Sequence, residues 1–155
     1  MTEIDFALSQ ESPTDQIELV GTVLWNKAER VGSFKKLSLP ERHFVYIDIF
    51  ESEINQGGLY HFFYNASGEF THEVLDAFYT IEAMESASIL NLALREFIEI
   101  PIPKDILNRR FYMKNLKPKA LSIWENLDTK LIDCKEDIVG LLITYIKTHK
   151  SKFEY

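Results

Sequence analysis

The feature that most constrains this chain is the adjacent pair Gly57-Gly58, set inside the run Glu-Ser-Glu-Ile-Asn-Gln-Gly-Gly-Leu-Tyr-His-Phe-Phe-Tyr-Asn-Ala-Ser-Gly at residues 51–68. Two neighbouring glycines open backbone angles closed to other residues, and these two follow a long apolar segment. Across residues 39–56, Phe44, Val45, Ile47, Ile49, Phe50 and Ile54 point in nearly every direction at helical spacing. The spacing predicts a central buried helix over 39–56. That helix should break at the glycine pair and restart as a short aromatic turn carrying Leu59, Phe62 and Phe63. Glu41, Asp48 and Glu51 share one narrow sector, whereas Glu53 projects among apolar neighbours and needs a hydrogen-bonding partner there.

The remaining segments also follow helical grammar. Residues 1–13 are polar, end in Ser-Pro and predict a loose arm ahead of one all-helical domain over 14–155. Asp15 with Glu18 predicts a capping box, followed by Ile17, Val20, Leu24, Ala28 and Val31 at helical spacing up to Gly32. Ser38 with Glu41 is the strongest cap signal. Thr71 is placed to cap a helix with Val74, Leu75, Phe78 and Ile81 on one face, and a further helix should start near Ser86. Ile-Pro-Ile-Pro at 100–103 forbids regular helix. A short basic helix follows, then one carrying Leu121, Trp124, Leu127 or Asp128, and Leu131, and a last one opened by Glu136 and Asp137. No stretch alternates with period two and no repeat recurs, so the fold class is all-α, with about seven or eight helices.

Composition narrows the class of protein. A length of 155 residues with 46% hydrophobic content supports a core without a metal or disulfide staple, and Cys134 is the only cysteine. Net charge is -7, which disfavours sequence-independent binding to nucleic acid. Residues 1–100 hold 17 acids and 6 bases, while residues 101–155 hold 7 acids and 11 bases. The amino terminus lacks the basic and apolar regions of a signal peptide, and no run is long enough to span a membrane, so the chain reads as cytoplasmic.

Glu53, Asn55, Gly57, Gly58, Phe62, Phe63, Asn65 and Gly68 together resemble the signature of the bacterial DNA-mimic family, an all-helical group once catalogued as a domain of unknown function. Residues 75–83 resemble the family's next helix, and Trp124, Leu127, Asp128, Asp137, Leu141, Leu142 and Tyr145 resemble its carboxy-terminal pair. Glu82 stands where the family prefers glycine in an Ile-Gly-Ala triplet, and Leu131 where an aromatic is common. The resemblance implies an acidic homodimer whose carboxylates stand in for DNA phosphates and occupy the DNA-binding surface of a repressor or nucleoid protein.

Each candidate residue has a functional and a structural reading. Glu41, Asp48 and Glu51, with Glu69, Glu73 and Asp76, form either a phosphate-like partner-binding array or a solvated acidic face. The signature residues read as structural, with Glu53 and Asn55 expected to satisfy backbone groups freed where the helix breaks. The basic stretch from Lys104 to Lys119, containing Arg109, Arg110, Phe111 and Tyr112, reads as a solvated connector or a partner for an acidic face. His43, His61, His72 and His149 lack metal-site spacing, and no nucleophile and base stand together, so no cofactor, metal or catalytic residue is expected. Two functions remain open: a non-enzymatic acidic interaction protein of the DNA-mimic kind, or an immunity or regulatory protein that neutralises another partner such as a toxin. An unrecognised enzyme is a third and weaker reading.

Overall fold

Helix ends dictate much of the architecture, because each leaves backbone groups that need partners. In the computed structural model, which describes residues 1–153, eight α-helices run in order among the described residues: α1 (Glu3–Leu8), α2 (Pro13–Val31), α3 (Leu39–Tyr64), α4 (Thr71–Thr80), α5 (Met84–Leu94), α6 (Ile106–Lys114), α7 (Ala120–Asp133) and α8 (Ile138–Thr148). The chain is all-helical, as its periodicity predicts. Its contacts divide into two units, one made of Met1–Asp48 and the segment from Asp137 onward, the other of Ile49–Glu136.

In the first unit α1 and α8 both pack on α2. The segment expected to be a loose arm is instead helical: Thr2 and Asp5 form a reciprocal capping box, and Ile4 and Ala7 are buried. Its few apolar residues fall four apart or closer, enough for a short helix to bury one side against α2. The next cap is Ser12, whose hydroxyl accepts from the Asp15 N–H at 3.1 Å, so Asp15 is a first-turn residue and not the cap. Ser38 and Glu41 do form the expected box, the Ser38 N–H donating to Glu41 at 2.9 Å and the Glu41 N–H to Ser38 at 3.3 Å. From here Phe44, Val45, Tyr46 and Ile47 are buried in succession, but Leu39, Asp48, Glu51, Ser52, Asn55 and Gln56 are exposed, so the burial expected over 39–56 holds only in part.

In the second unit α4 and α7 pack on α5. Its centre is aromatic: Phe50 meets Phe62 and Phe78 edge-on at 4.9 and 5.5 Å, and Phe63 meets Trp124 at 4.9 Å and Phe97 at 5.2 Å. The Trp124 indole N–H donates to the Ala93 carbonyl at 2.9 Å, so its polar edge is satisfied inside the core. Caps here come from afar. Thr71 begins α4 but does not cap it; its hydroxyl donates to the Gly68 carbonyl at 2.7 Å. The α5 start at Met84 has no local side-chain cap, and the Glu136 carboxylate accepts from the Glu85 and Ser86 N–H groups at 3.0 and 2.9 Å instead.

The end of α4 explains the departure at position 82. The Ala83 N–H donates back to the Phe78 carbonyl at 2.8 Å and the Glu82 N–H to Tyr79 at 3.1 Å, the bond pair of a Schellman cap. Such a cap places its junction residue in the left-handed region, and Glu82 has φ 67°. Glycine adopts that angle without a Cβ penalty. Glu82→Gly should therefore stabilise the protein by about 1 kcal/mol, read as a higher denaturant midpoint with an unchanged slope.

Candidate functional site

The signature residues converge on a break in α3. Gly58 adopts φ 75° and ψ -167°, which ends one helical stretch and starts another within the same element. A side chain at this position would be strained by φ and would strike the Asp128 carboxylate, 2.5 Å from where a Cβ would sit. The carboxylate is there for a reason. Its Oδ1 accepts from the Leu59 N–H at 2.8 Å, taking the first backbone donor released by the break.

The far end of the same short stretch is satisfied by α6. Arg109 is fully buried, and its guanidinium donates to four carbonyls: Phe63 at 2.6 Å, Asn65 at 2.7 Å, Lys104 at 2.9 Å and Pro103 at 3.1 Å. Arg110 donates to the Tyr64 carbonyl at 2.9 Å and lies over the Tyr64 ring at 4.0 Å from its centre. Residues 59–64 are thus held by an anion at their amino end and by cations at their carboxy end, the polarity a helix dipole favours. Burial pulls the Arg109 pKa below its usual value, while the Glu69 charge opposes that shift. Gly68 completes the arrangement, since a Cβ there would lie 2.6 Å from Arg109 Nε and 2.7 Å from the Phe63 carbonyl.

Two sequence expectations change here. Glu53 and Asn55 do not take the freed Leu59 N–H: Glu53 meets His61 Nε2 at 2.9 Å and accepts from the Asn65 amide at 3.3 Å, and Asn55 is exposed. The basic stretch is not simply solvated, because Arg109 is a core residue. Composition could not separate Arg109 from its basic neighbours; the only signal was its place on the same helix face as Met113, a buried residue one turn on.

The acidic candidates also separate. Glu41 is fully buried, held by the Ser38 N–H and by the Lys27 ammonium at 3.1 Å, so it cannot face a partner as the sequence reading expected. The capping box turns that carboxylate back onto the backbone. Asp48 is exposed and accepts from the Trp25 indole at 2.8 Å. Glu51 is exposed on α3. In the second unit, Glu69 lies in the 3-10 turn Ala66–Phe70, and Glu73 and Asp76 stand one turn apart on α4. Lys104 pairs with Glu73 and donates to the Glu69 carbonyl at 2.9 Å. An open groove is lined by His72, Glu73, Leu75, Asp76 and Tyr79.

The remaining chemistry-bearing groups have structural partners. His43 Nδ1 meets the Tyr145 hydroxyl at 2.8 Å, His72 Nε2 accepts from the Ile102 N–H at 3.0 Å, and His149 Nδ1 lies 3.0 Å from the Tyr145 carbonyl. Burial pushes the Cys134 thiol pKa up, which disfavours the thiolate. Among the described residues no three His, Cys, Asp or Glu side chains come together to hold a metal ion, and no helix is long and apolar enough to cross a membrane.

These features define an all-helical domain organised on an interrupted, glycine-broken helix, with carboxylates on its surface. The profile of the family described as DMP19-like protein, DNA mimic protein 19-like, matches residues 35–149, and the chain belongs to that family. No curated protein and no solved structure matches it.

The two ends of the held stretch give separable predictions. Arg109→Met leaves several buried carbonyls without donors and should cost at least about 3 kcal/mol in chemical denaturation; Arg109→Lys should recover little, lacking the planar fork. Asp128→Asn keeps an acceptor for the Leu59 N–H, whereas Asp128→Ala does not and should be the more destabilising. Burial first, with Glu125 adding, raises the Asp128 pKa, against the lowering effect of the Leu59 N–H. A raised folded pKa means the folded state binds the proton more tightly, so the Asp128 contribution weakens as pH rises through that pKa. The stability of Asp128→Asn relative to the parent should accordingly improve from acid toward neutral pH.

Proposed function

We propose that the chain is a non-enzymatic interaction protein whose surface carboxylates replace DNA phosphates on a basic DNA-binding protein. The observation that carries this reading is membership of the DMP19-like family over residues 35–149, a span that contains every exposed or half-exposed carboxylate just described. The α4 face is the part of the acidic set best suited to the role. Glu73 and Asp76 border an open groove beside the apolar surfaces of Leu75 and Tyr79, so a partner cation and its alkyl stem would both find a complement. Glu69 precedes them by one turn. Asp48 and Glu51 remain candidates, and Glu41 is withdrawn because it is buried and paired.

Binding of this kind is steered by charge and weakens with salt. Glu69→Gln, Glu73→Gln and Asp76→Asn together should weaken capture of a basic DNA-binding partner by about tenfold and flatten its salt dependence. Affinity capture from cell extract followed by identification of the retained proteins, then titration of the triple variant, checks this. A retained nucleoid protein or repressor supports mimicry. Retention of a toxin would move the chain to the neutralising class, and undiminished binding by the triple variant would remove the α4 face from the interface.

A further inference from the structure

Beside the break in α3, one ring nitrogen faces two groups with opposite requirements. His61 Nε2 lies 2.9 Å from a Glu53 carboxylate oxygen and 3.0 Å from the Asn65 side-chain amide nitrogen. The carboxylate can only accept, so it requires hydrogen on Nε2; the amide nitrogen can only donate, so it requires a bare lone pair. Both cannot be met at once. The Asn65 amide has a second contact, donating to the same Glu53 oxygen at 3.3 Å. Glu53 precedes the glycine pair and His61 and Asn65 follow it, so the cluster bridges the break. The imidazole also rests against Gly57, where a Cβ would come within 2.7 Å of the His61 Cβ and 2.9 Å of Nδ1. Glycine at 57 therefore leaves room for the ring beside the break.

We propose that Glu53, His61 and Asn65 form a proton-operated latch on the α3 break. With the imidazolium, Nε2–H donates directly to Glu53 and the bridge is charge-assisted, a class of bond roughly twice as strong as its neutral counterpart. With the neutral ring protonated on Nδ1, Nε2 accepts from Asn65, the direct bond to Glu53 is lost, and Asn65 alone spans the gap. The charged groups around the break are Asp128 and Glu125 from α7, Arg109 on the Asn65 carbonyl and Arg110 on the Tyr64 carbonyl from α6, and Glu69 acting on Arg109. Arg109 anchors the Asn65 backbone throughout, so loss of the direct Glu53 bond loosens the amino end of the turn, which starts at Leu59. The reporter is the Leu59 N–H, which follows Gly58 directly and is tied to Asp128.

The test uses the full chain labelled with 15N. Ring-nitrogen shifts of His61 and the hydrogen-exchange protection factor of the Leu59 amide are followed from pH 5.5 to 8, with His61→Gln and Glu53→Gln as comparisons. The expected result is a neutral ring carrying its hydrogen on Nδ1 and a Leu59 protection factor about fivefold lower at pH 8 than at pH 5.5. In His61→Gln that change should vanish, which separates the latch from His43, His72, His149 and Asp128. A neutral ring that keeps hydrogen on Nε2, or an equal pH response in the two variants and the parent, overturns the proposal. Should either variant fold poorly, the tautomer measured in the parent still decides it.

Discussion

A helix that stops and restarts within its own length must find partners for the backbone groups it strands, and the second unit is arranged around that requirement. Gly58 makes the interruption geometrically possible. Asp128 and Arg109 make it chemically tolerable, one accepting from Leu59 and the other donating to Phe63 and Asn65. Their contacts tie α7 and α6 to opposite ends of a single aromatic turn. Phe62 and Phe63 on that turn then meet Phe50, Phe97 and Trp124 at fixed ring distances. The hydrophobic core and the buried charges are therefore parts of one solution, since the rings could not hold their positions if the turn were free to unwind.

A chain of net charge -7 invites the view that its acids are all surface. Several of them instead serve backbone N–H groups: Glu41 at the start of α3, Glu136 at the start of α5, Asp137 at the start of α8 and Asp128 at the interruption. These carboxylates act where helix dipoles are positive. Total charge is therefore a poor guide to how many carboxylates stand exposed, as Asp48 and Glu51 on α3 and Asp76 on α4 do.

The helical class, the glycine break and the Ser38 and Glu41 box are legible in the sequence, because each is a local pattern with a local cause. What depends on distance along the chain is not legible there. Nothing near Leu59 announces Asp128, 69 positions away, and nothing near Ser86 announces Glu136. Arg109 was hidden among lysines and arginines whose composition suggested solvent. Glu41 departs from the acidic face for a different reason: its carboxylate is taken by the Ser38 cap and the Lys27 ammonium.

The four contacts of Arg109 are all to main-chain oxygens. A guanidinium neutralised by a carboxylate side chain would bind the fold to one particular acid and make that acid unavailable for change. Peptide carbonyls are present whatever residue occupies positions 63, 65, 103 or 104. The clamp therefore imposes no charge pattern on the exterior, and surface carboxylates can be exchanged while the scaffold beneath keeps its grip.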